Sequence, residues 1–220
     1  MFDSLFKKIL HSTFPYVIIS YSQSGEDILL NDHIFQNKKN GFYVDIGAHH
    51  PKRFSNTYLL YKRGWSGINI DPIPGMKKLF KGRKRDISIN AGISDKSGSM
   101  EYHMFHKGAV NTFEERVAKE QEKRYGKPEV VKVEVHTLKE ILDIYVAGKE
   151  IDFMNVDVEG HELQILKSND WKRYLPEIIA IEDQGLDLEN LNKSNVHLFL
   201  QEKRYNLLNK LNYTSIYKRR

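Results

Sequence analysis

Residues 151–166 read IDFMNVDVEGHELQIL. Ile151–Val156 is a nearly continuous apolar run, short enough for a strand covered on both faces. Asp157 closes it. Gly160 then breaks the extended pattern, and apolar residues at helical spacing follow through Lys167. Strand, acid, glycine-bearing turn and helix in that order are the unit of an open parallel sheet.

The same grammar recurs outward in both directions. Further β-rich runs lie at Gly41–Ile46 (GFYVDI), Gly67–Ile70 (GINI), Ile87–Ala91 (ISINA) and Glu177–Ile181 (EIIAI). Helical patterns sit between them at Ser55–Arg63, Ile73–Lys81 and Thr137–Val146. This alternation predicts an α/β fold with a doubly wound, mostly parallel sheet. Two stretches depart from it. Residues 99–136 form an insertion after the third strand, with strand-like Ser99–Phe105, a charged helix over Glu114–Tyr125 and alternating Val130–Val135. Tyr205–Leu211 and Tyr213–Tyr217 predict an antiparallel C-terminal hairpin closing the sheet. Without repeats or a flexible linker, residues 21–220 read as a single domain and residues 1–20 as a lead-in.

That lead-in carries Phe2, Leu5, Phe6, Ile9 and Leu10 at helical spacing, an amphipathic helix over residues 1–14. The stripe is discontinuous, unlike the core of a secretory signal. Packing on the domain or contact in a homo-oligomer is expected, with peripheral membrane contact as the alternative.

Composition sets outer bounds. The 220 residues hold no cysteine, which excludes a disulfide scaffold, a zinc ribbon and a thiol nucleophile. No apolar run approaches the roughly 20 residues needed to cross a bilayer. A cytoplasmic location is expected, peripheral at the inner membrane face if the lead-in is a surface anchor. The net charge of +5 is too mild to argue for nucleic acid, and none is expected as a partner. Lys77, Lys78, Lys81, Arg83, Lys84 and Arg85 crowd the segment before the third strand. Residues there lie opposite the functional rim of a parallel sheet, so a solvated face pointing away from the chemistry is expected.

Ligands of such sheets bind beyond the strands' carboxyl ends. Acids stand at four of these: Asp45, Asp71, Asp157 and the Glu182-Asp183 pair. Asp45 is followed by Ile-Gly47-Ala-His-His, which lacks the later glycines that let a helix approach a pyrophosphate. An acid here suits a cation or an amine. S-adenosylmethionine carries an ammonium and a sulfonium and no phosphate, and Asp71 is placed to accept from ribose hydroxyls. A methyl donor is therefore favoured over a dinucleotide.

With SQSGEDILL (22–30), GFYVDIGAHHP (41–51), SNTYLLYKRGWSGINIDP (55–72), INAGISDKSG (89–98), IDFMNVDVEGHELQIL (151–166) and KRYNLLNKLNYTSIY (203–217), the chain resembles the FkbM family of S-adenosylmethionine-dependent methyltransferases. Coverage runs from about residue 20 to the end, weakest over 106–128. The resemblance implies the class I methyltransferase (Rossmann-like) fold, with seven strands and a reversed last one. It also implies transfer of a methyl group to a hydroxyl of a sugar, in a surface glycan or its nucleotide- or lipid-linked precursor. A polyketide or RNA acceptor, or a non-catalytic binding module on this fold, is the alternative.

Carried onto this chain, the donor set is Asp45, Gly47, Asp71 and Asp157, with Asp95 in the segment that borders the adenine. Gln23 and Glu26 are expected as polar contacts of a lid, although Ser24 and Asp27 also have capping-box spacing. Of the adjacent pair His49 and His50, one is expected to face the donor, and His49 joins the set. His161 is the candidate base, near Asp157 and oriented by Glu159 or Glu162. Asp157, Glu182 and Asp183 could alternatively hold Mg²⁺ or a similar divalent metal that lowers the hydroxyl pKa.

Overall fold

The computed structural model describes residues 13–220. The amphipathic helix expected over residues 1–14 lies, but for its last two positions, outside them. Strands β1 (Phe42–Ile46), β2 (Ser66–Ile70) and β3 (Ile87–Ile89) come first. Then follow β4 (Gly92–Ile93), β5 (Gly98–Met104), β6 (Glu129–His136), β7 (Phe153–Val156), β8 (Ile178–Glu182), β9 (Tyr205–Leu211) and β10 (Thr214–Arg219). Seven of them form one sheet in the order β3-β2-β1-β7-β8-β10-β9. β1, β2, β3, β7 and β8 are parallel, while β10 runs antiparallel to β8 and β9. This is the doubly wound sheet with a C-terminal hairpin that the alternation predicts. Strand order reverses between β1 and β7, which places a ligand crevice at their carboxyl ends.

The helices are α1 (Glu26–Ile28, continued by a π-helical turn over Leu29–Ile34), α2 (Tyr58–Arg63), α3 (Met76–Leu79), α4 (Glu115–Tyr125), α5 (Leu138–Tyr145), α6 (Glu162–Lys167) and α7 (Asn195–Glu202). Successive strand residues point to opposite faces. Val44, Ile46, Met154, Val156, Ile179 and Ile181 pack on one face beneath Leu138, Ile141, Ile165 and Leu200. Tyr43, Phe153, Ile178 and Ala180 pack on the other with Leu30, Leu60 and Trp65. Continuous apolar strands are what burial on both faces requires.

Several elements differ from expectation for identifiable reasons. The second helix starts at Tyr58, not Ser55, because Ser55, Asn56 and Thr57 spend their side chains in buried hydrogen bonds. The helix over 137–146 forms as predicted, on a capping box between Thr137 and Glu140. α7 has no counterpart in the periodicity reading. Ser194 starts it by accepting from the His197 amide at 3.0 Å. The segment 92–136 makes its own small sheet, β4-β6-β5, beside α4. It begins at Gly92, ahead of the expected residue 99.

The basic cluster corrects an expectation. Lys77, Lys78, Lys81 and Lys84 are exposed as foreseen, but Arg83 is only 3% exposed. It points inward. Its guanidinium donates to the Pro51 carbonyl (2.6 Å), Ser55 Oγ (2.8 Å) and Thr57 Oγ1 (2.9 Å), and pairs with Asp86 at 3.5 Å. Thr57 in turn donates its hydroxyl hydrogen bond to Asp45 (2.7 Å), which also accepts from Asn155 (2.9 Å). A polar layer thus runs inside the sheet beneath the first turn. The signal that separates Arg83 from its neighbours is Asp86, three residues on in the turn before β3.

Candidate active site

The first turn shapes the crevice. Gly47 has φ +79, and a Cβ there would lie 1.7 Å from the Asp157 carbonyl oxygen. Only glycine lets the β1 and β7 turns approach so closely. Their closeness is tied by the Asp157 amide, which donates to the Ile46 carbonyl at 3.0 Å.

Two adjoining cavities open at this rim, beside a third of about 260 Å³ that Glu159, Glu162, Glu182 and Asp183 border with α4. The inner one is bordered by Gly47, His49, Asp71, Tyr102, Asn111 and Asp157. Asp71 Oδ2 accepts from the His49 amide (2.8 Å) and Oδ1 from the Ile73 amide (2.9 Å). Burial pushes its carboxyl up to about 6, against the pull of those amides. His49 is pushed down to about 4 by burial, then by the charge of Arg53 and by His50, so its ring is neutral at neutral pH. Arg53 Nη2 lies 3.2 Å from His49 Nε2. A guanidinium only donates, so the ring proton sits on Nδ1. That Nδ1 is buried with no protein partner. It is a donor awaiting an acceptor on a ligand.

The outer cavity, about 580 Å³, is bordered by Glu159, Glu182 and Tyr213 on the sheet side and by residues 106–125 of the inserted segment on the other. That volume lies within the roughly 300–1,000 Å³ of small-molecule sites. Gln23, Phe54 and Glu159 border both cavities. Glu159 is held at φ +54, unusual for a residue with a side chain. Thr112 Oγ1 fixes its carbonyl at 2.8 Å. Strain of this kind concentrates at functional positions, and here it sets a carboxylate at the junction of two cavities.

Carboxylate oxygens of Asp157, Glu159 and Glu182 all lie within 4.8 Å of one another. Asp157 is raised well above the ordinary carboxylate range, by burial first and then by Glu182, Glu159 and Glu162. Burial, then Glu182 and Glu162, pushes Glu159 up to about 8. Glu182 is raised too, mainly by burial. No cationic side chain among the described residues pairs with any of the three.

Of the residues singled out in the sequence, Gln23, Gly47, His49, Asp71, Asp157, Glu159 and Glu182 meet at these cavities. The others do not. His161 is 4% exposed, with Nε2 2.9 Å from Ser94 Oγ and Nδ1 2.6 Å from Glu114 Oε1. Both nitrogens are engaged, so neither is open to an acceptor hydroxyl. The carboxylate that orients the ring is Glu114 of the inserted segment, not Glu159 or Glu162. Glu162 instead accepts the Val158 (3.2 Å) and Gly160 (3.1 Å) amides.

Asp45 lies beneath the cavity with both oxygens taken by Thr57 and Asn155. Glu26 is buried and accepts the Ser24 amide at 2.8 Å. Ser24 caps nothing; Ser22 and Asp27 tie that loop instead, through a 2.8 Å bond. Asp95 is exposed and accepts only from Ser94. Asp183 departs from the metal trio because its carboxylate accepts the Ser194 hydroxyl at the start of α7. Glu159 takes its place.

Sequence reasoning missed Tyr102, Asn111 and Phe113. They come from the inserted segment, where no periodic pattern marks which residues point inward.

The model of the methyltransferase FkbM domain matches residues 45–207. No curated protein matches the sequence. Among solved structures, the methyltransferase FkbM from Methylobacillus flagellatus KT aligns over 82% of this chain with a TM-score of 0.50 and 14% identity. That likeness shows the fold, and the aligned part is 44% of the solved chain. The family match spans both cavity-forming strand ends, Asp45 to Gly47 and Asp157 to Glu159. The chain belongs to the FkbM methyltransferase family.

Proposed function

We propose that the protein transfers the methyl group of S-adenosylmethionine to a sugar hydroxyl, in a surface glycan or its precursor. The observation that carries this reading is the position of Glu159, bordering both cavities at once. The donor binds along the inner cavity, whose roughly 50 Å³ of enclosed space holds part of the molecule and leaves the rest in the open crevice. Asp71 accepts from ribose hydroxyls, His49 Nδ1 donates to a donor oxygen, and Asp157 faces the cationic end of the molecule. A cation there relieves the repulsion that raises Asp157. The outer cavity takes the acceptor, and residues 92–136 shape its far wall within one catalytic domain over 21–220.

The hydroxyl oxygen attacks the methyl carbon as the carbon–sulfur bond breaks, leaving a methyl ether and S-adenosylhomocysteine. The hydroxyl proton passes to the Glu159 carboxylate. A base with a pKa near 8 is matched to that task close to neutral pH. Holding both reactants in line supplies much of the remaining acceleration. His161 acts at a distance, tying the inserted segment to the β7 turn through Glu114 and Ser94.

A second reading rests on the convergence of three hard-oxygen ligands within 4.8 Å. Asp157, Glu159 and Glu182 fit a divalent cation of the Mg²⁺ type, which would lower the pKa of a bound hydroxyl. Incubation with methyl-labelled donor and a panel of sugars and glycans, with and without EDTA, tests both. Label on a sugar in EDTA supports carboxylate-assisted transfer. Label only without EDTA supports the cation. If calorimetry finds no binding of S-adenosylmethionine or S-adenosylhomocysteine, the methyl-transfer reading is wrong.

A further inference from the structure

The outer cavity is electrostatically two-sided. Its sheet side carries Glu159 and Glu182. The cavity is also bordered by Arg53 from the loop after β1, Lys107 from the loop after β5 and Arg124 from α4. Among the described residues none of these three cations is paired with a carboxylate. This is not the habit of their surroundings. On the same helix, Arg116 pairs with Glu120 at 2.8 Å and Lys119 with Glu115 at 2.7 Å. Arg124, on the cavity side of that helix, has no such partner among the described residues.

Two of them are also held in place. Arg53 is tethered to the His49 ring and its guanidinium lies 5.6 Å from the Phe54 ring centroid. Lys107 Nζ lies 5.2 Å from the Tyr125 centroid. Aromatic faces position cations and leave their donors free for another acceptor. Three like charges around one cavity repel each other until an anion enters. Drawn from three separate elements, they suit a ligand with several charged oxygens better than one carboxylate.

Resting on the sugar-hydroxyl reading above, we propose that the acceptor is a phosphoryl-bearing sugar whose phosphate or diphosphate is bound by Arg53, Lys107 and Arg124. The same asymmetry orients it. A phosphate finds no cation paired with Glu159 or Glu182, so the phosphorylated end lies toward Arg53, Lys107 and Arg124 and a ring hydroxyl toward Glu159. Phe54 and Tyr125, the rings that seat Arg53 and Lys107, border the same cavity. The chemistry is common to soluble nucleotide-linked sugars and lipid-linked sugar diphosphates.

The test begins without catalysis. Inorganic pyrophosphate is titrated calorimetrically into protein saturated with S-adenosylhomocysteine. Binding is expected, weakened at least tenfold by Arg124→Glu and by Lys107→Glu and unchanged by Lys84→Glu, a control on an exposed residue remote from the cavity. No binding, or binding indifferent to the two cavity variants, overturns the proposal whatever the activity. Labelled-methyl transfer is then compared for a free hexose, a uridine-diphosphate hexose and a polyprenyl-diphosphate hexose. A phosphorylated acceptor should take the label, with KM raised at least tenfold and kcat kept in Arg124→Glu; which of the two does so identifies the source. Equal use of the free hexose overturns the phosphoryl proposal and keeps the sugar methyltransferase. Transfer to none of the three, with pyrophosphate binding intact, overturns the sugar reading instead.

Discussion

The sheet holds two groups of buried carboxylates, one inside it around β1 and β2 and one at the ends of β7 and β8, built in opposite ways. Asp45 and Asp86 lie within the polar layer. Burial raises both, but Arg83, Thr57, Asn155, Tyr43 and Asn69 all act to pull them down. Asp157, Glu159 and Glu182 stand a few residues away at the rim. At Asp157 and Glu159 burial is reinforced by neighbouring carboxylates, while at Glu182 the Gln184 side chain and the Glu159 amide act against it. The first group is satisfied by the protein and holds the strand ends in place. The second has no cationic partner among the described residues, and its members border both cavities. A buried acid at a strand end therefore has no fixed role; its partners decide whether it builds or reacts.

Removing the cation of the satisfied group is the harshest test of this contrast. Arg83→Met leaves Asp86 buried without its partner and should cost about 3–5 kcal/mol of stability in denaturant unfolding. A loss below about 1 kcal/mol would show that the layer is not holding the sheet.

Donor affinity should follow Asp71, whose carboxyl is pushed up to about 6. Its ionised form accepts from ribose, so binding is full above that pH and weakens as the group protonates below it. S-adenosylhomocysteine titrated at pH 7 and pH 5 should differ by about tenfold, the lower pH being weaker. Asp71→Asn should remove most of that difference.

The smallest effect concerns stability without ligand. Glu159 and Glu162 are raised from 4.5 to about 8 and about 7, so between pH 4.5 and 8 the folded chain binds more protons than the unfolded one. Their contribution is fully present below about pH 4.5 and is lost as pH rises through these folded values. In EDTA, the drop in Tm between pH 5.5 and pH 8.5 should be shallower in Glu159→Gln than in the parent chain. An equal drop would remove Glu159 from the repelling group.

The same contrast explains what could be read in advance. The sheet was legible because continuous apolar runs such as Phe153–Val156 and Ile178–Ile181 report burial on both faces, and acids at their ends report the rim. Gly47 and Asp71 follow from that rim. The partners of each acid were not legible. Whether Asp45 meets Thr57 and whether Asp183 meets Ser194 depend on contacts across the fold that no local period encodes. His161 illustrates this most clearly. Its place one turn from Asp157 suggested a base, yet Glu114, 47 residues away in the chain, occupies the ring. Arg83 was obscured by the lysines around it, whose composition resembles a solvated face.

The central claim is that Glu159 works at the junction of donor and acceptor, whereas the layer beneath only supports it. Single-turnover methyl transfer by Glu159→Gln, at saturating donor in EDTA and across pH 6–9, tests this most directly. The account predicts a rate reduced at least about 100-fold, loss of the parent chain's rise toward pH 8, and unchanged affinity for S-adenosylhomocysteine. A variant that keeps the parent rate and the same pH profile would contradict it.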